Sequence, residues 1–184
     1  MPFDAARPDR PTTGTLDAFL ADVERRAFRM AELSLGHRED ALDTVQDAML
    51  RFVAYRDRPQ DEWTPLFWSM LRRAVTDRHR RAAVRRGVMA VLGRSEEHDE
   101  DPLERLPDPG QDPSGRRADD EAWQALRRAL RTLPGRQREA YLLRELQGLD
   151  VADTAAAMGC SEGSVKTHLS RAMAALRIQL EDWR

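Results

Sequence analysis

Between Ser95 and Ala118 the chain reads SEEHDEDPLERLPDPGQDPSGRRA, with four prolines, two glycines and eight acidic residues against three arginines. Such a stretch has too little apolar surface to offset the entropy of ordering it, and its prolines interrupt regular hydrogen bonding. It is predicted to be a flexible acidic linker. The chain of 184 residues then divides into a short disordered extension over 1–15, a domain over 16–94, the linker over 95–118 and a second domain over 119–184. Neither domain is long enough for one large core, so each must be a small, well-patterned bundle. No period-2 strand pattern of useful length and no internal repeat is present, and the expected class is all-α.

In the first domain the apolar positions of Leu16–Leu35 recur at i, i+3, i+4 and i+7, and Gly36 is a natural stop. A second helix is predicted over Arg38–Tyr55, with Leu42, Val45, Met49, Phe52 and Val53 on its apolar side. Asp40, Asp43 and Asp47, with Gln46 at their edge, form an acidic stripe opposite. Arg56–Thr64 is polar and contains Pro59, which predicts a loop, and Thr64-Pro65 has the form of a helix start. The helix that follows is expected to bury Leu66, Phe67, Met70, Leu71, Ala74 and Val75, leaving Trp68, Arg72, Thr76, His79 and Arg80 on its other side. An aromatic ring among arginines suits stacking on unpaired bases with phosphates held alongside. The same pattern also fits a tryptophan packed under a neighbouring loop with arginines that merely solvate the helix.

The formal net charge of −2 conceals strong segregation: −4 over residues 1–70, +7 over 71–94, −8 over 95–123 and +3 over 124–184. Charges act within about 8–10 Å at ordinary salt, so these local blocks matter more than their total. The single cysteine, Cys160, excludes a disulfide framework or a Cys-rich zinc site and fits a reducing cytoplasm. No run approaches the roughly 20 apolar residues that a bilayer span needs, and the first fifteen residues lack a signal-peptide core.

The second domain is patterned more sharply. A helix over Glu121–Thr132 ends at Leu133-Pro134-Gly135, and another covers Arg136–Gln147 before Gly148. Asp150 can cap a short helix, Val151–Met158, and Ser161 a longer one from Glu162 to about Leu180, with Gly159-Cys160-Ser161 as the turn. Short helix, glycine-containing turn and longer helix form a helix-turn-helix candidate, with two ordinary packed helices as the other reading. On the longer helix Val165, Leu169, Ala172, Met173 and Leu176 share the packing side. Ser164, Thr167 and Arg171 lie opposite, flanked by Lys166, His168 and Ser170, which suits base edges and phosphates.

GLDVADTAAAMGCSEGSVKTHLSRAMAALR, preceded by LPGRQREAYLLRELQG, resembles region 4 of bacterial RNA polymerase sigma factors. REDALDTVQDAMLRF and WTPLFWSMLRRAVTDRHRR resemble region 2, and two domains with no third between them resemble the extracytoplasmic-function (ECF) subgroup. The resemblance implies a transcription initiation factor, without catalytic residues, metal or cofactor, that binds core RNA polymerase through its β′ and β subunits. It would direct the enzyme to specific promoters and assist melting, acting in the bacterial cytoplasm with no membrane insertion. It assigns Asp40, Asp43, Gln46 and Asp47 to polymerase, and Arg56, Trp63, Trp68, Arg72, Thr76, His79 and Arg80 to the minus-10 element. Ser164, Lys166, Thr167, His168 and Arg171 fall to the minus-35 element, and an anti-sigma factor is a further expected type of partner. The sequence departs from the family pattern at Arg73, often asparagine, at Asp153-Thr154-Ala155, usually Glu-Ile-Ala, and at His168, often arginine.

Three rival readings remain at this level, one of them a purely interacting protein that sequesters a partner. Another is an autonomous helix-turn-helix regulator that binds duplex DNA as a dimer. The third is a nuclease built on Asp77 and His79, although helical spacing sends those two side chains in different directions.

Overall fold

The computed structural model describes residues 15–91 and 113–181, and all of the expected extension but Thr15, with most of the expected linker, lies outside them. Seven α-helices follow one another, with no strand among the described residues: α1 Leu16–Leu35, α2 Arg38–Val53, α3 Gln60–Val91, α4 Pro113–Thr132, α5 Gly135–Tyr141, α6 Val151–Met158 and α7 Glu162–Gln179. A π-helical turn, Leu142–Leu146, continues α5. The all-α expectation holds.

The ends of α1 follow from local chemistry. Thr15 accepts from the Ala18 amide as N-cap, and Gly36 closes the helix at φ 80°, a left-handed conformation that favours glycine. A side chain at Gly36 would also run into the Arg131 guanidinium of α4.

Three boundaries differ from expectation. Helix α2 ends at Val53, two residues before Tyr55. Helix α3 starts at Gln60, so Thr64 is helical and is not a cap. Asp61 and Glu62 place negative charge in its first turn, and the indole of Trp63 donates to the Arg58 carbonyl at 2.9 Å, pinning that turn to the preceding loop. Helix α4 begins at Pro113, inside the segment expected to be linker.

The apolar side of α2 also lies elsewhere. The face in the core is Ala41, Thr44, Val45, Ala48 and Phe52, while Leu42 and Val53 are exposed and Met49 is half-buried. Small residues let α2 approach α1 closely, and this turns the bulkier Leu42 and Val53 outward. Similarly, Leu66, Met70 and Ala74 of α3 are half-buried, and Met173 of α7 is exposed.

Phe19, Phe52, Trp63 and Phe67 form an aromatic cluster with ring centroids 5.2–6.2 Å apart, mostly edge to face. Trp68 joins it through Phe67 at 5.5 Å. The core runs on without a break into the C-terminal half through Leu130, Leu143, Met158, Val165 and Leu176. Helix α3 lies along α6, and α1 touches α4.

Candidate nucleic-acid interface

Helices α6 and α7 form the helix-turn-helix. The Asp150 carboxylate caps α6 by accepting from the Asp153 amide at 2.7 Å, and the Ser161 hydroxyl caps α7 by accepting from the Ser164 amide at 3.2 Å. Between them Gly159 sits at φ 63°, and its amide bonds back into the last turn of α6. Thr154, in the place where the family pattern has an apolar residue, is fully buried. Its hydroxyl donates to the Asp150 carbonyl at 2.7 Å, so the departure carries no unsatisfied group.

Val165, Ala172 and Leu176 bury one side of α7, leaving Lys166, Thr167, Ser170 and Arg171 exposed. Thr167 gives its hydroxyl proton to the Gly163 carbonyl at 2.9 Å and thus presents lone pairs and a methyl group to a groove. Ser164 is half-buried, sharing a 2.9 Å hydrogen bond with Ser161. His168 is also half-buried, and its Nδ1 is buried without a hydrogen-bond partner, so it presents less polar surface than its neighbours.

On α3 the residues assigned to unpaired DNA separate into two groups. Trp63 and Trp68 are in the core, at 5% and 0% exposure, and neither ring is open for stacking. For Trp63 the cause is the early start of α3, which turns it into the aromatic cluster. For Trp68 it is the breadth of the buried arc, which spans Phe67, Trp68, Leu71 and Val75 where α3 meets both α1 and α6.

Arg72 is also largely enclosed. Its Nε donates to the Ala157 carbonyl at 3.1 Å, and its Nη1 lies 3.4 Å from the Glu139 carboxylate. The Thr76 hydroxyl donates to the Arg72 carbonyl at 2.9 Å. His79 is half-buried. Arg73, Thr76 and Arg80 share an exposed side of α3, and Arg56 is exposed in the loop before it. The departure at Arg73 therefore adds a cation to the open side.

The acidic stripe on α2 is not uniform. Arg78 of α3 reaches Asp40 at 2.5 Å and Asp43 at 3.5 Å, and the Asp40 carboxylate in particular holds this guanidinium above its usual pKa. Asp40 thus ties two helices together, whereas Gln46 and Asp47 are exposed. Beside them lie exposed Leu42, Leu50 and Val53, with Leu50 at 72%. Sequence reasoning missed these apolar residues as surface groups. The available signal was that the second helix carries more large apolar residues than one buried face accommodates.

Asp77 pairs with Arg80 at 3.4 Å, and no group of three metal-capable side chains occurs among the described residues. No described helix is long and apolar enough to cross a membrane.

Residues 123–176 match the family model of sigma-70 region 4. The chain is 36% identical over 152 residues to the ECF RNA polymerase sigma factor SigM of Mycobacterium tuberculosis, covering 83% of this chain and 70% of that protein. It is 33% identical over 142 residues to the RNA polymerase sigma-E factor of Streptomyces avermitilis, covering 77% and 72%. The solved sigma factor RpoE, in complex with the anti-sigma factor NepR from Bartonella quintana, superposes with a TM-score of 0.68 at 25% identity, covering 90% of this chain and 96% of that one. These relatives are transcription initiation factors rather than enzymes, and they lend no support to an autonomous regulator. A helix-turn-helix with a cationic outer face, in a chain matched over most of its length by sigma factors of this group, makes this chain a member of the ECF sigma factors of RNA polymerase.

Proposed function

We propose that the chain divides the work of a sigma factor among three surfaces. The outer side of α2, with Gln46, Asp47 and the neighbouring Leu42, Leu50 and Val53, docks on core RNA polymerase. Apolar contact supplies affinity there, and the carboxylates complement a basic partner. Asp43 stands at the edge of this surface, and Asp40 supports it through Arg78.

The exposed side of α7 enters the major groove at the minus-35 element, with Lys166 and Arg171 meeting phosphates or base edges and Thr167 accepting. The arrangement that carries this reading is the capped α6–turn–α7 unit, whose packing side is fixed by Val165, Ala172 and Leu176.

The side of α3 bearing Arg72, Arg73, Thr76 and Arg80, together with Arg56 of the preceding loop, takes the minus-10 strand once it is unpaired. Capture of the open strand draws the melting equilibrium forward without nucleotide hydrolysis. The tryptophans Trp63 and Trp68 hold α3 in place and do not themselves stack on bases.

In this reading the chain acts in the bacterial cytoplasm, where its polymerase is, has no catalytic activity of its own and answers to an anti-sigma factor. Transcription in vitro with purified core polymerase on fragmented genomic DNA tests it. Discrete start sites that appear only when the chain is added are expected. Their absence, with wild-type chain unable to co-elute with core polymerase, would remove the proposal.

A further inference from the structure

We infer that Thr167 sets a base preference of α7, selecting an A·T pair by accepting a hydrogen bond from the adenine amino group and packing its methyl group against that of thymine. The inference rests on the minus-35 reading of α7 above and names base chemistry that the reading leaves open.

The buried side of α7 is centred on Val165, Ala172 and Leu176. At about 100° per residue, Thr167 falls within about 20° of the direction directly opposite. Arg171 stands about 40° to one side of it, Ser170 about 60° to the other, and Lys166 about 100° away. Thr167 is therefore the crest of the exposed side, in the second turn of a helix that starts at Glu162. The early turns of a recognition helix are the ones that reach base edges. A side chain this short lets the backbone approach those edges closely, so the contact is made by the two groups on its β-carbon, a hydroxyl and a methyl.

The hydroxyl proton is already placed. It goes to the Gly163 carbonyl at 2.9 Å, within the helix itself, and the oxygen lone pairs are left for the groove. Binding that keeps this bond gives up nothing, so Thr167 meets DNA as an acceptor. Its neighbours do not offer the same combination. Lys166 and Arg171 carry donors alone. The Ser164 hydroxyl is half-buried and shares a 2.9 Å hydrogen bond with Ser161, and His168 is half-buried with Nδ1 enclosed. Ser170 is exposed but has no methyl group. Among the described residues of this face, Thr167 is the one that joins an exposed acceptor to an apolar group.

The major groove supplies the complement at one kind of base pair. Adenine shows an N6 donor, and its thymine shows the C5 methyl group. A G·C pair has a donor at cytosine N4 but no methyl group, and guanine puts the O6 acceptor where adenine has its donor. Two lone pairs then face each other, so selection combines an attraction with a repulsion.

The test uses holoenzyme assembled from the full chain and core polymerase. A random-sequence duplex library is selected for binding by wild type, Thr167→Ser, Thr167→Val and Arg171→Ala. One position of the minus-35 element should be A·T with wild type and less restricted with each Thr167 variant. At that position, uracil in place of thymine removes only the methyl group, and purine in place of adenine removes only the amino group. With wild type, uracil should weaken binding about fourfold, as for one buried carbon. Purine should weaken it about three- to tenfold, as for one hydrogen bond. Thr167→Ser keeps the acceptor and should respond to purine but not to uracil. Thr167→Val keeps a methyl group and should respond to uracil but not to purine, which also controls for the weaker base pair that purine forms.

Preference for any pair other than A·T at the position that responds to Thr167 overturns the inference. Wild-type binding that is insensitive to both analogues overturns it as well, and that arm uses the unaltered chain, so a variant that fails to fold does not protect it. If both Thr167 variants select the same sequences as wild type while Arg171→Ala does not, α7 reads the element without Thr167 and the inference alone falls. If Arg171→Ala also leaves the selection unchanged, the minus-35 reading falls with it.

Discussion

Arg72 of α3 and Glu139 of α5 meet across the two halves of the chain at 3.4 Å, each with less than a fifth of its side chain exposed. Burial at this level makes the pair depend on both partners, because either one left alone is poorly hydrated. Glu139→Ala should destabilise the free chain by about 1.5–3 kcal/mol, the range for a hydrogen bond to a charged group. Thermal melting checks this, at about 2–4 °C per kcal/mol for a chain of this length. A melting temperature unchanged within a degree would mean that the pair contributes nothing.

Trp68 is fully enclosed, so its truncation should act on folding before it acts on DNA. Trp68→Ala removes a large buried ring, a change that typically costs about 3–5 kcal/mol. Trp68→Phe should be much milder, since it keeps most of the contact with Phe67. Urea unfolding of both variants separates the cases. Equal stability of Trp68→Ala and wild type would restore the ring to the DNA-facing surface.

Much of this fold is legible in the sequence where capping chemistry and periodicity agree. Helix α6 and the start of α7 stand at their predicted positions because Asp150 and Ser161 are unambiguous caps, and α1 and α6 end where Gly36 and Gly159 stop them. What periodicity could not show is which part of a broad apolar arc a neighbouring helix selects. Helix α2 packs through Ala41, Thr44 and Ala48, a choice set by close approach to α1, and so Leu42 and Val53 emerge as surface. Trp68 lies off its expected face for a related reason: a helical-wheel argument gives a helix one partner, whereas α3 has three, α1, α2 and α6, and Trp63 enters the core because α3 starts early, at Gln60. The pairing of Arg72 with Glu139 spans 67 residues, and no local pattern announces it.

The Tyr141 phenol is pushed above the ordinary tyrosine value by burial, and secondarily by the Glu145 carboxylate. A group raised in the folded state contributes stability that is fully present below its unfolded pKa and is lost as pH rises through the folded value. Stability should therefore fall from about pH 10 upward, the reference tyrosine range. Tyr141→Phe keeps the ring and removes the proton, so its melting temperature should decline less steeply there. The background is simple, because Lys166 is the only lysine in the chain and the other tyrosine, Tyr55, is exposed. Parallel alkaline melting curves for variant and wild type would exclude the effect.

On α2, Asp43 is unsuitable for a clean charge reversal, because an arginine there would face Arg78, which lies 3.5 Å from the native carboxylate. Asp47 and Leu50 are exposed, and Asp47→Arg combined with Leu50→Ser should leave packing intact, with a stability change within about 0.5 kcal/mol per surface site. The same pair should abolish co-elution with core polymerase, since it removes an apolar contact and opposes like charges at the interface. Normal co-elution would place the docking surface on another helix.

Lys166 and Arg171 are exposed on the side of α7 opposite Val165, Ala172 and Leu176, so truncating either should spare the fold. The two can still be told apart on DNA. A cation that meets a phosphate contributes by releasing counterions, and its loss weakens binding on every promoter while lowering the salt slope by about 0.9 per contact. A cation that reads a base edge contributes discrimination of about 1–3 kcal/mol, and its loss relaxes preference at one position of the minus-35 element with little change in slope. Lys166, nearer the start of the helix, is a compact charge suited to phosphate, whereas Arg171 carries the fork that fits guanine bidentately. Holoenzyme carrying Lys166→Ala should therefore show a shallower salt dependence of promoter binding, and holoenzyme carrying Arg171→Ala a loss of discrimination between intact and single-base-substituted minus-35 elements. Unchanged slope and unchanged discrimination in both variants would take α7 out of the minus-35 groove.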